Sequence, residues 1–439
     1  MIPQKKIVAP GLVLDAICTE RFKTEILSIA VTVPLDKVRV PFYGLVLSVL
    51  KRGTEKYPTI GDINRRLDEL YAAGVSLRLD RFGNNCMIGF SAEMLGNEYA
   101  DGKTDIFGGV LEVITEMLFH PLTTENGLLL HDIVESEKMI TCDAIEASAN
   151  NPKTLAARRC RELVFGDDDY GAPLAGTVKQ ISQVTADELT QVYRELLTAR
   201  TFRAFYVGSQ NIDAVGDKIY QMLAPYLCDA GEYTLQKRCL PLTNASVKRA
   251  DETTSVAQGK LVIGFRTGID ICHKDFYSML VLSEIYGGSP VSKLFMNVRE
   301  RLSLCYYCSS TYDIYKGTMF VSSGVDPEAR ALAEAEIFRQ LDAIRDGEIS
   351  DGEFDAAIKA LVSSYRAITD LPATLETYYF GRDLFGVACT IDECIEKIRN
   401  VRREDVIRIA NAIETDTVYF LMGDTDEDTD EEGDADEAL

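Results

Sequence analysis

The feature that most constrains the fold of this chain is an internal repeat. The segment 151-NPKTLAARRCRELVFG-166 is echoed by 371-LPATLETYYFGRDLFG-386, with Pro, Thr, Leu, Phe and Gly at matching places 220 residues apart. A second pair follows in the same order, because residues 184–208 and 401–423 each predict a capped amphipathic helix and then a short apolar strand that ends at glycine. Two ordered echoes at nearly one offset predict two copies of a single α/β module.

Each predicted module contains a hairpin and long helices. Residues 73–90 alternate in polarity on both sides of a Gly-Asn-Asn turn, and residues 306–325 show a second hairpin pattern. Apolar residues recur at three- and four-residue steps in 104–119 and 328–344, which predicts helices. The order of these elements predicts an α+β fold in which each module is a largely antiparallel sheet covered by helices.

Changes in composition suggest where the modules end. We expect one module over residues 1–225 and another over 258–424, joined by a polar linker at 226–257. From Asp424 onward sixteen residues include ten acidic ones, so residues 425–439 are expected to form a disordered acidic tail. A solvated run of like charges is the favoured interpretation of this tail, with metal binding or partner docking as alternatives.

Charge and hydropathy exclude several classes of protein. The net charge is −23, or −13 without the ten acidic residues of the tail, which argues against binding nucleic acid. No apolar run approaches the roughly 18 residues that a membrane span needs, so membrane insertion is not expected. The first residues lack a secretory signal pattern, and eleven scattered cysteines fit reduced thiols better than a disulfide framework. A cytoplasmic location is therefore expected.

The strongest motif lies in the second module, in the stretch 287-GGSPVSKLFMNVRERLSLCYYCSSTYDIYKG-317. It combines a glycine pair, a Ser-x-Leu-Phe segment, an arginine and a Leu-x-Tyr segment, at Gly287, Gly288, Ser292, Leu294, Phe295, Arg299, Leu304 and Tyr306. This order resembles the C-terminal module of the insulinase/pitrilysin (M16) peptidase family. The resemblance implies two homologous modules that face each other as a clam shell.

Active members of that family bind zinc with a His-x-x-Glu-His motif on the first helix and a glutamate on a later helix. Counted back from Gly53-Thr54, the positions that match the motif's histidines and glutamate are Gly44, Leu47 and Ser48. The position that matches the third ligand is Ala144. A register shift of one residue would place Asp143 there, but without histidine partners. The resemblance therefore implies that this chain itself binds no metal and no other cofactor.

The resemblance implies a catalytic role for Arg299 and Tyr306. In active relatives an arginine and a tyrosine at this spacing reach into the zinc site of another module. A guanidinium can hold substrate carbonyls at any pH, and a phenol can donate to the oxyanion formed during peptide hydrolysis. The chain resembles the zinc-free member of bacterial M16 pairs that process peptides, including one linked to elongation-factor-P modification. This implies a homologous partner with His-x-x-Glu-His, zinc on that partner and an extended peptide as substrate.

Other interpretations remain open at this point. A purely structural role, like that of the respiratory-complex core proteins with this fold, and a peptide-binding or chaperone-like role both fit a chain without a zinc motif. Arg299 and Tyr306 would then be an ion-paired and a packed residue. Cys305 and Cys308 have CxxC spacing, but on a strand they would point to opposite faces, so structural thiols are expected. His131 and Glu135 are favoured as a surface helix pair rather than as metal ligands.

Overall fold

Two sheets organise the chain, whose computed structural model describes residues 2–198, 201–228, 233–243, 245–254 and 258–423. The predicted tail at 425–439 lies outside these residues. Six strands form the first sheet: β1 (Gln4–Ala9), β2 (Leu12–Cys18), β3 (Thr24–Pro34), β4 (Gly74–Phe82), β5 (Asn85–Leu95) and β6 (Phe202–Gly208). Five strands form the second: β7 (Lys248–Thr254), β8 (Gly259–Arg266), β9 (Tyr307–Asp313), β10 (Thr318–Val325) and β11 (Glu414–Gly423).

The two sheets have the same topology, apart from the additional edge strand β1. Their strand orders are β1-β2-β6-β3-β5-β4 and β7-β11-β8-β10-β9. Each sheet contains one parallel pair, formed by the strand that comes last along the chain: β6 pairs with β2, and β11 pairs with β7. The other strand pairs are antiparallel. The predicted hairpins are β4–β5 and β9–β10. The α+β prediction with two largely antiparallel sheets is therefore confirmed.

Fourteen α-helices lie within the described residues, eight before β7 and six after β8. The first eight are α1 (Val40–Leu50), α2 (Ile60–Glu69), α3 (Ile106–Phe119), α4 (His131–Ala149), α5 (Pro152–Phe165), α6 (Val178–Gln183), α7 (Ala186–Leu197) and α8 (Ile212–Leu223). The other six are α9 (Phe276–Ser283), α10 (Arg330–Arg345), α11 (Asp351–Ala367), α12 (Pro372–Phe385), α13 (Ile391–Arg399) and α14 (Arg403–Ala412). Two π-helical segments, Glu284–Gly288 and Leu294–Arg301, follow α9. No described helix has the length and apolar character needed to cross a membrane.

The internal repeat corresponds to equivalent elements. The first echo forms α5 and α12, each of which begins with a proline in its first turn, where the missing N–H costs nothing. The second echo ends in β6 and β11, whose tyrosines Tyr206 and Tyr419 are both buried. The prediction that the echoes lie on elements of the same type is therefore confirmed.

The second sheet begins earlier than expected, because β7 lies inside the predicted linker at 226–257. Its sequence, KRADETT, is polar, and its side chains alternate between exposed and half-buried. Such a strand lacks the apolar face that marks a strand in sequence, yet it pairs with β11 along its whole length at the sheet edge. The boundaries at residues 225 and 258 otherwise remain predictions.

A reciprocal exchange of helices joins the two halves. Helix α5 belongs to the first half in sequence but packs on the second sheet, against β8 and β11. The Cys160 thiol lies 3.7 Å from the carbonyl oxygen of Val262. Lys248 Nζ donates to the Leu163 carbonyl at 2.6 Å. One hydrophobic core accordingly contains residues from α5, β8 and β11 together with the core of the first half.

Helix α12 makes the reverse contact, on the first sheet. Its apolar face packs on β3 and β6, and its carboxylates reach buried arginines of that sheet. Glu376 pairs with Arg78 on β4, and Asp383 lies 2.5 Å from Arg203 on β6. Because each sheet is covered on one face by a helix from the other half, the halves are interlocked. The structure does not confirm the predicted clam-shell arrangement.

The two hairpin turns also meet between the sheets. Lys316 in the β9–β10 turn is fully buried and donates to Asn84 in the β4–β5 turn at 2.9 Å and to Asp168 at 2.8 Å. The rings of Phe82 and Tyr315 pack edge to face, with centroids 5.5 Å apart. A buried ammonium with a carboxylate and an amide as acceptors holds the two turns together.

Candidate functional site

The positions that match the family's zinc motif lie on α1, a helix that is apolar around most of its circumference. Leu47 is buried, whereas Gly44 and Ser48 are half-buried. Ala144 is exposed on α4, which packs against α1. The four positions Gly44, Leu47, Ser48 and Ala144 thus lie on two helices that contact each other.

The side chains at these positions do not fit a zinc ion. Zinc takes thiolate, imidazole or carboxylate ligands, and the only polar atom among the four side chains is the Ser48 hydroxyl. A Cβ added at Gly44 would lie 3.2 Å from Leu79 Cδ2, so a histidine there would require Leu79 to move. Among the described residues, no three or more His, Cys, Asp or Glu side chains are grouped so that they could hold a metal.

An ion pair lies beside these positions instead. Glu137, seven residues before Ala144 on α4, is buried, and its carboxylate lies 3.4 Å from Nε of Arg52 just after α1. Burial raises the pKa of Glu137, an effect that the Arg52 charge partly opposes. On the exposed start of α4, Glu135 accepts from Lys138 at 2.8 Å. This contact agrees with the surface interpretation of His131 and Glu135.

Arg299 lies on the π-helical segment Leu294–Arg301 of the second half. In this segment Leu302 N–H donates to the carbonyl of Asn297, five residues earlier. The Arg299 guanidinium lies over the Phe295 ring at 4.7 Å and 3.5 Å from Glu300, and the side chain remains 41% exposed. π-Helical turns occur frequently at functional sites. The Arg299 side chain is thus held by Phe295 and Glu300 of the same π-helical segment, and it remains partly open to solvent.

Tyr306 lies one residue before β9, not on a strand as its pattern predicts. Its backbone N–H donates to the Gly324 carbonyl of β10 at 2.9 Å, which fixes the backbone, while the residue is 66% exposed. Tyr307 is half-buried, with Lys153 Nζ over its ring at 4.5 Å. The two neighbouring tyrosines therefore differ in environment, and Tyr306 is the more exposed.

The hydroxyl of Tyr306 also differs from those of the tyrosines in the cores. Among the described residues it has no hydrogen-bond partner, whereas the core tyrosines donate to carboxylates or carbonyls. These pairs are Tyr170 with Asp313, Tyr206 with Glu25, Tyr286 with the Ile337 carbonyl, and Tyr419 with Glu252. A polar atom that no structural contact uses is available to a ligand.

The expectation that Cys305 and Cys308 point to opposite faces is wrong. Cys305 lies before β9, in the turn that follows the π-helical segment, so strand alternation does not apply to it. The nearby Cys308 thiol is the main cause that lowers the pKa of Cys305 to about 7. Both residues remain largely buried, at 9% and 3% exposure.

A cavity beside β9 was not foreseen from the sequence. It has a volume of about 390 Å³ and lies between α5 and the β9–β10 hairpin. Arg161 and Tyr170 come from the first half and Thr311, Asp313 and Ser322 from the second. Because α5 is exchanged between the halves, no pattern within one module could place these residues together. The cavity adjoins β9, an edge strand of the second sheet.

Comparison with known proteins shows a similarity to M16 peptidases. Residues 183–361 match the family model described as "Peptidase M16 inactive domain". The chain is also 28% identical over 417 residues to "Probable inactive metalloprotease YmfF" of Bacillus subtilis, across 94% of this chain and 96% of that relative. The chain is therefore similar to inactive members of the M16 peptidase family. Both matches carry the description inactive, in agreement with the residues at the zinc-motif positions.

Solved structures support the M16 fold over the full length of the chain. A conserved protein from Enterococcus faecalis V583 has a TM-score of 0.90 at 25% identity, and covers 98% of this chain and 100% of its own. The peptidase M16 inactive domain from Pseudomonas fluorescens has a TM-score of 0.78 at 16% identity, with 97% and 98% covered. The two-sheet architecture is thus that of M16-like peptidases.

Proposed function

We propose that this chain is the zinc-free subunit of a heterodimeric M16 peptidase in the cytoplasm. In this proposal a homologous subunit with a His-x-x-Glu-His motif holds the zinc, and the present chain forms part of the peptide chamber. Arg299 and Tyr306 are the residues that this chain contributes to hydrolysis.

The observation that carries the proposal is the exposure of Tyr306, whose hydroxyl has no hydrogen-bond partner among the described residues, together with the partial exposure of Arg299. Tyr306 is 66% exposed, and its backbone is tied to β10. A tyrosine kept for packing would be buried, and one kept for stability would hydrogen-bond, as the core tyrosines do. An open guanidinium and an open phenol at the end of an edge strand fit a contact with a second molecule.

These two groups suit the chemistry of peptide-bond hydrolysis. The Arg299 guanidinium keeps its charge at every physiological pH and can donate to carbonyl oxygens of a bound peptide. The Tyr306 hydroxyl can donate to the oxygen that becomes negative when water attacks the scissile carbonyl. Zinc on the partner would supply the activated water, and no residue of this chain has that role.

The outer edge of β9 offers a place for an extended peptide. β9 is the last strand of the second sheet, and Tyr306 directly precedes it. A peptide that adds to such an edge is recognised mainly through its backbone, so side-chain selectivity is broad. Ser309 and Thr311 are exposed on β9, and the adjoining cavity could receive a substrate side chain.

A non-catalytic M16 homologue, structural or peptide-binding, is the second candidate. The missing zinc ligands favour it, as do the family model and the Bacillus subtilis relative that are described as inactive. It would use the same sheet edge without a partner's zinc. The two candidates differ in whether Arg299 and Tyr306 affect a chemical step.

Isolation of the tagged chain from its own cells tests the proposal. We expect a co-purifying homologue with His-x-x-Glu-His and zinc in proportion to that homologue. The chain purified alone should hold no stoichiometric zinc and hydrolyse no peptide, since Gly44, Leu47 and Ser48 cannot form the site. About one zinc per isolated chain, or a chain that associates with no such homologue, would contradict the proposal.

A further inference from the structure

A cluster of two thiols and two phenols lies in the second half, away from Arg299 and Tyr306. The Tyr277 hydroxyl is 3.4 Å from Cys389 Sγ and 3.2 Å from Cys394 Sγ. The Tyr378 hydroxyl is 2.9 Å from Cys394 Sγ. Both thiols thus contact the same Tyr277 hydroxyl. Four polar groups from α9, α12, α13 and the α12–α13 loop therefore converge.

Helix capping explains why the two cysteines meet. Thr390 is the N-cap of α13 and forms a capping box with Glu393. Cys389 therefore precedes the cap, and Cys394 is the fourth residue of the helix. Side chains at these two positions commonly pack on each other and fix the entry of the chain into the helix. The local fold thus holds the two sulfur atoms next to each other.

The surroundings of the two thiols are not equivalent. Cys389 lines a cavity of about 530 Å³, whereas Cys394 is fully buried behind it. Arg382 and Lys397 also line this cavity, as does Asp405, which is ion-paired with Arg402 and Arg408. A reagent that enters the cavity would therefore reach Cys389 before Cys394.

Electrostatics favour the thiolate form of Cys389. The nearby Cys394 thiol is the main cause that lowers the pKa of Cys389 to about 5, helped by Tyr277, Arg382 and Lys397. Lys397 Nζ lies over the Tyr277 ring at 5.3 Å, and Arg382 lies over the Tyr378 ring at 4.4 Å. Both cations are thus held at the thiol cluster. Thiolates, rather than thiols, are the nucleophiles in cysteine chemistry.

We propose that Cys389 and Cys394 form an oxidant-sensitive dithiol, with Cys389 as the attacking thiol and Cys394 as the resolving thiol. The Cys389 thiolate attacks hydrogen peroxide, the O–O bond breaks, and the departing hydroxide takes a proton to leave as water. The resulting sulfenic acid is attacked by the Cys394 sulfur. The S–O bond breaks, an S–S bond forms, and a second water leaves with the Cys394 proton. Both sulfurs are oxidised while the peroxide is reduced.

Peptide mapping after treatment of the full chain with hydrogen peroxide tests the assignment. Trypsin cleavage after Arg382 and Lys397 releases both cysteines in one peptide, residues 383–397. We expect this peptide to lose two hydrogens before any other cysteine is oxidised, and to regain them with dithiothreitol. Before oxidation, Cys389 should react with iodoacetamide at neutral pH about tenfold faster than the exposed Cys272, which lines the same cavity.

Variants separate the two roles. Cys394→Ser should leave a dimedone-reactive sulfenic acid on Cys389, and Cys389→Ser should leave Cys394 unreactive. Cys272→Ser is the matched control and should not change the oxidation of peptide 383–397. The proposal is wrong if Cys272, Cys228 or the Cys305–Cys308 pair oxidises while peptide 383–397 of the unmodified sequence keeps its mass.

Discussion

Replacement of Tyr306 by phenylalanine is expected to lower kcat of the reconstituted peptidase pair by about 10²–10³, the usual loss when one oxyanion donor is removed. A donor to the developing oxyanion acts mainly in the transition state, so kcat should fall much more than KM changes. The fold should be unaffected, because Tyr306 is 66% exposed and its hydroxyl has no hydrogen-bond partner within the described residues. Steady-state kinetics with zinc content measured in parallel would check this.

Tyr307→Phe is the matched control for this prediction. Tyr307 is the adjacent residue, is half-buried and packs against Lys153, so loss of its hydroxyl should leave kcat nearly unchanged. Arg299→Ala should also reduce the activity of the pair, through weaker positioning of the peptide. Full activity in Tyr306→Phe, with zinc bound normally by the partner, would favour the non-catalytic alternative.

Loss of the Glu376 carboxylate is expected to destabilise the protein by up to about 3–5 kcal/mol, because the buried Arg78 guanidinium then keeps only Ser28 and the exposed Asp80 carboxylate as partners. The side chains of Arg78 and Glu376 are only 6% and 4% exposed. The pair joins β4 of the first half to α12 of the second. Glu376→Ala should therefore shift the urea midpoint strongly towards lower concentrations, as measured by circular dichroism.

Two further variants make this prediction specific. Glu396→Gln removes an ion pair with Arg399 whose side chains are 63% and 45% exposed, and should cost less than about 1 kcal/mol. The double replacement Arg78→Met with Glu376→Leu should be less destabilising than Glu376→Ala alone, because it removes the buried guanidinium together with the buried carboxylate and replaces both by apolar side chains. Equal midpoints for Glu376→Ala and Glu396→Gln would show that the exchanged helix contributes little to stability.

The repeat predicted the duplicated fold because each echo combines local signals that act without tertiary context. Pro152 and Pro372 both start a helix, and Gly166 and Gly386 both end it with a positive φ. The apolar runs at 204–207 in β6 and at 418–422 in β11 also stand out in sequence. These features depend on short stretches of chain, so a single sequence is sufficient to reveal them.

The exchange of α5 and α12 could not be predicted in the same way. An apolar helix face shows that a helix is buried, but it does not show which sheet covers it. Cys160 faces β8 of the other half, and nothing in residues 151–166 distinguishes that sheet from the first. The polar edge strand β7 was missed for a related reason, since its stability comes from backbone pairing with β11 rather than from an apolar face.

The candidate site was accessible from sequence only through a family pattern. The spacing of the family motifs identified Arg299, Tyr306 and the altered positions from Gly44 to Ser48. The same pattern predicted that Tyr306 lies on a strand, whereas the strand begins one residue later. The turn before β9 also brings Cys305 back to Cys308, which strand alternation had excluded. Such turns depend on packing between the π-helical segment and the hairpin, and this information is not local.

The most direct test of the central claim is peptide hydrolysis by a mixture of this chain with its His-x-x-Glu-His homologue from the same cell. Each chain alone should be inactive, and an equimolar mixture should hydrolyse an unstructured peptide. A mixture with Arg299→Ala/Tyr306→Phe should form the same complex, with the same zinc content, but lack that activity. Hydrolysis by the homologue alone at the rate of the mixture, or full activity with the double variant, would contradict the claim that this chain supplies catalytic residues.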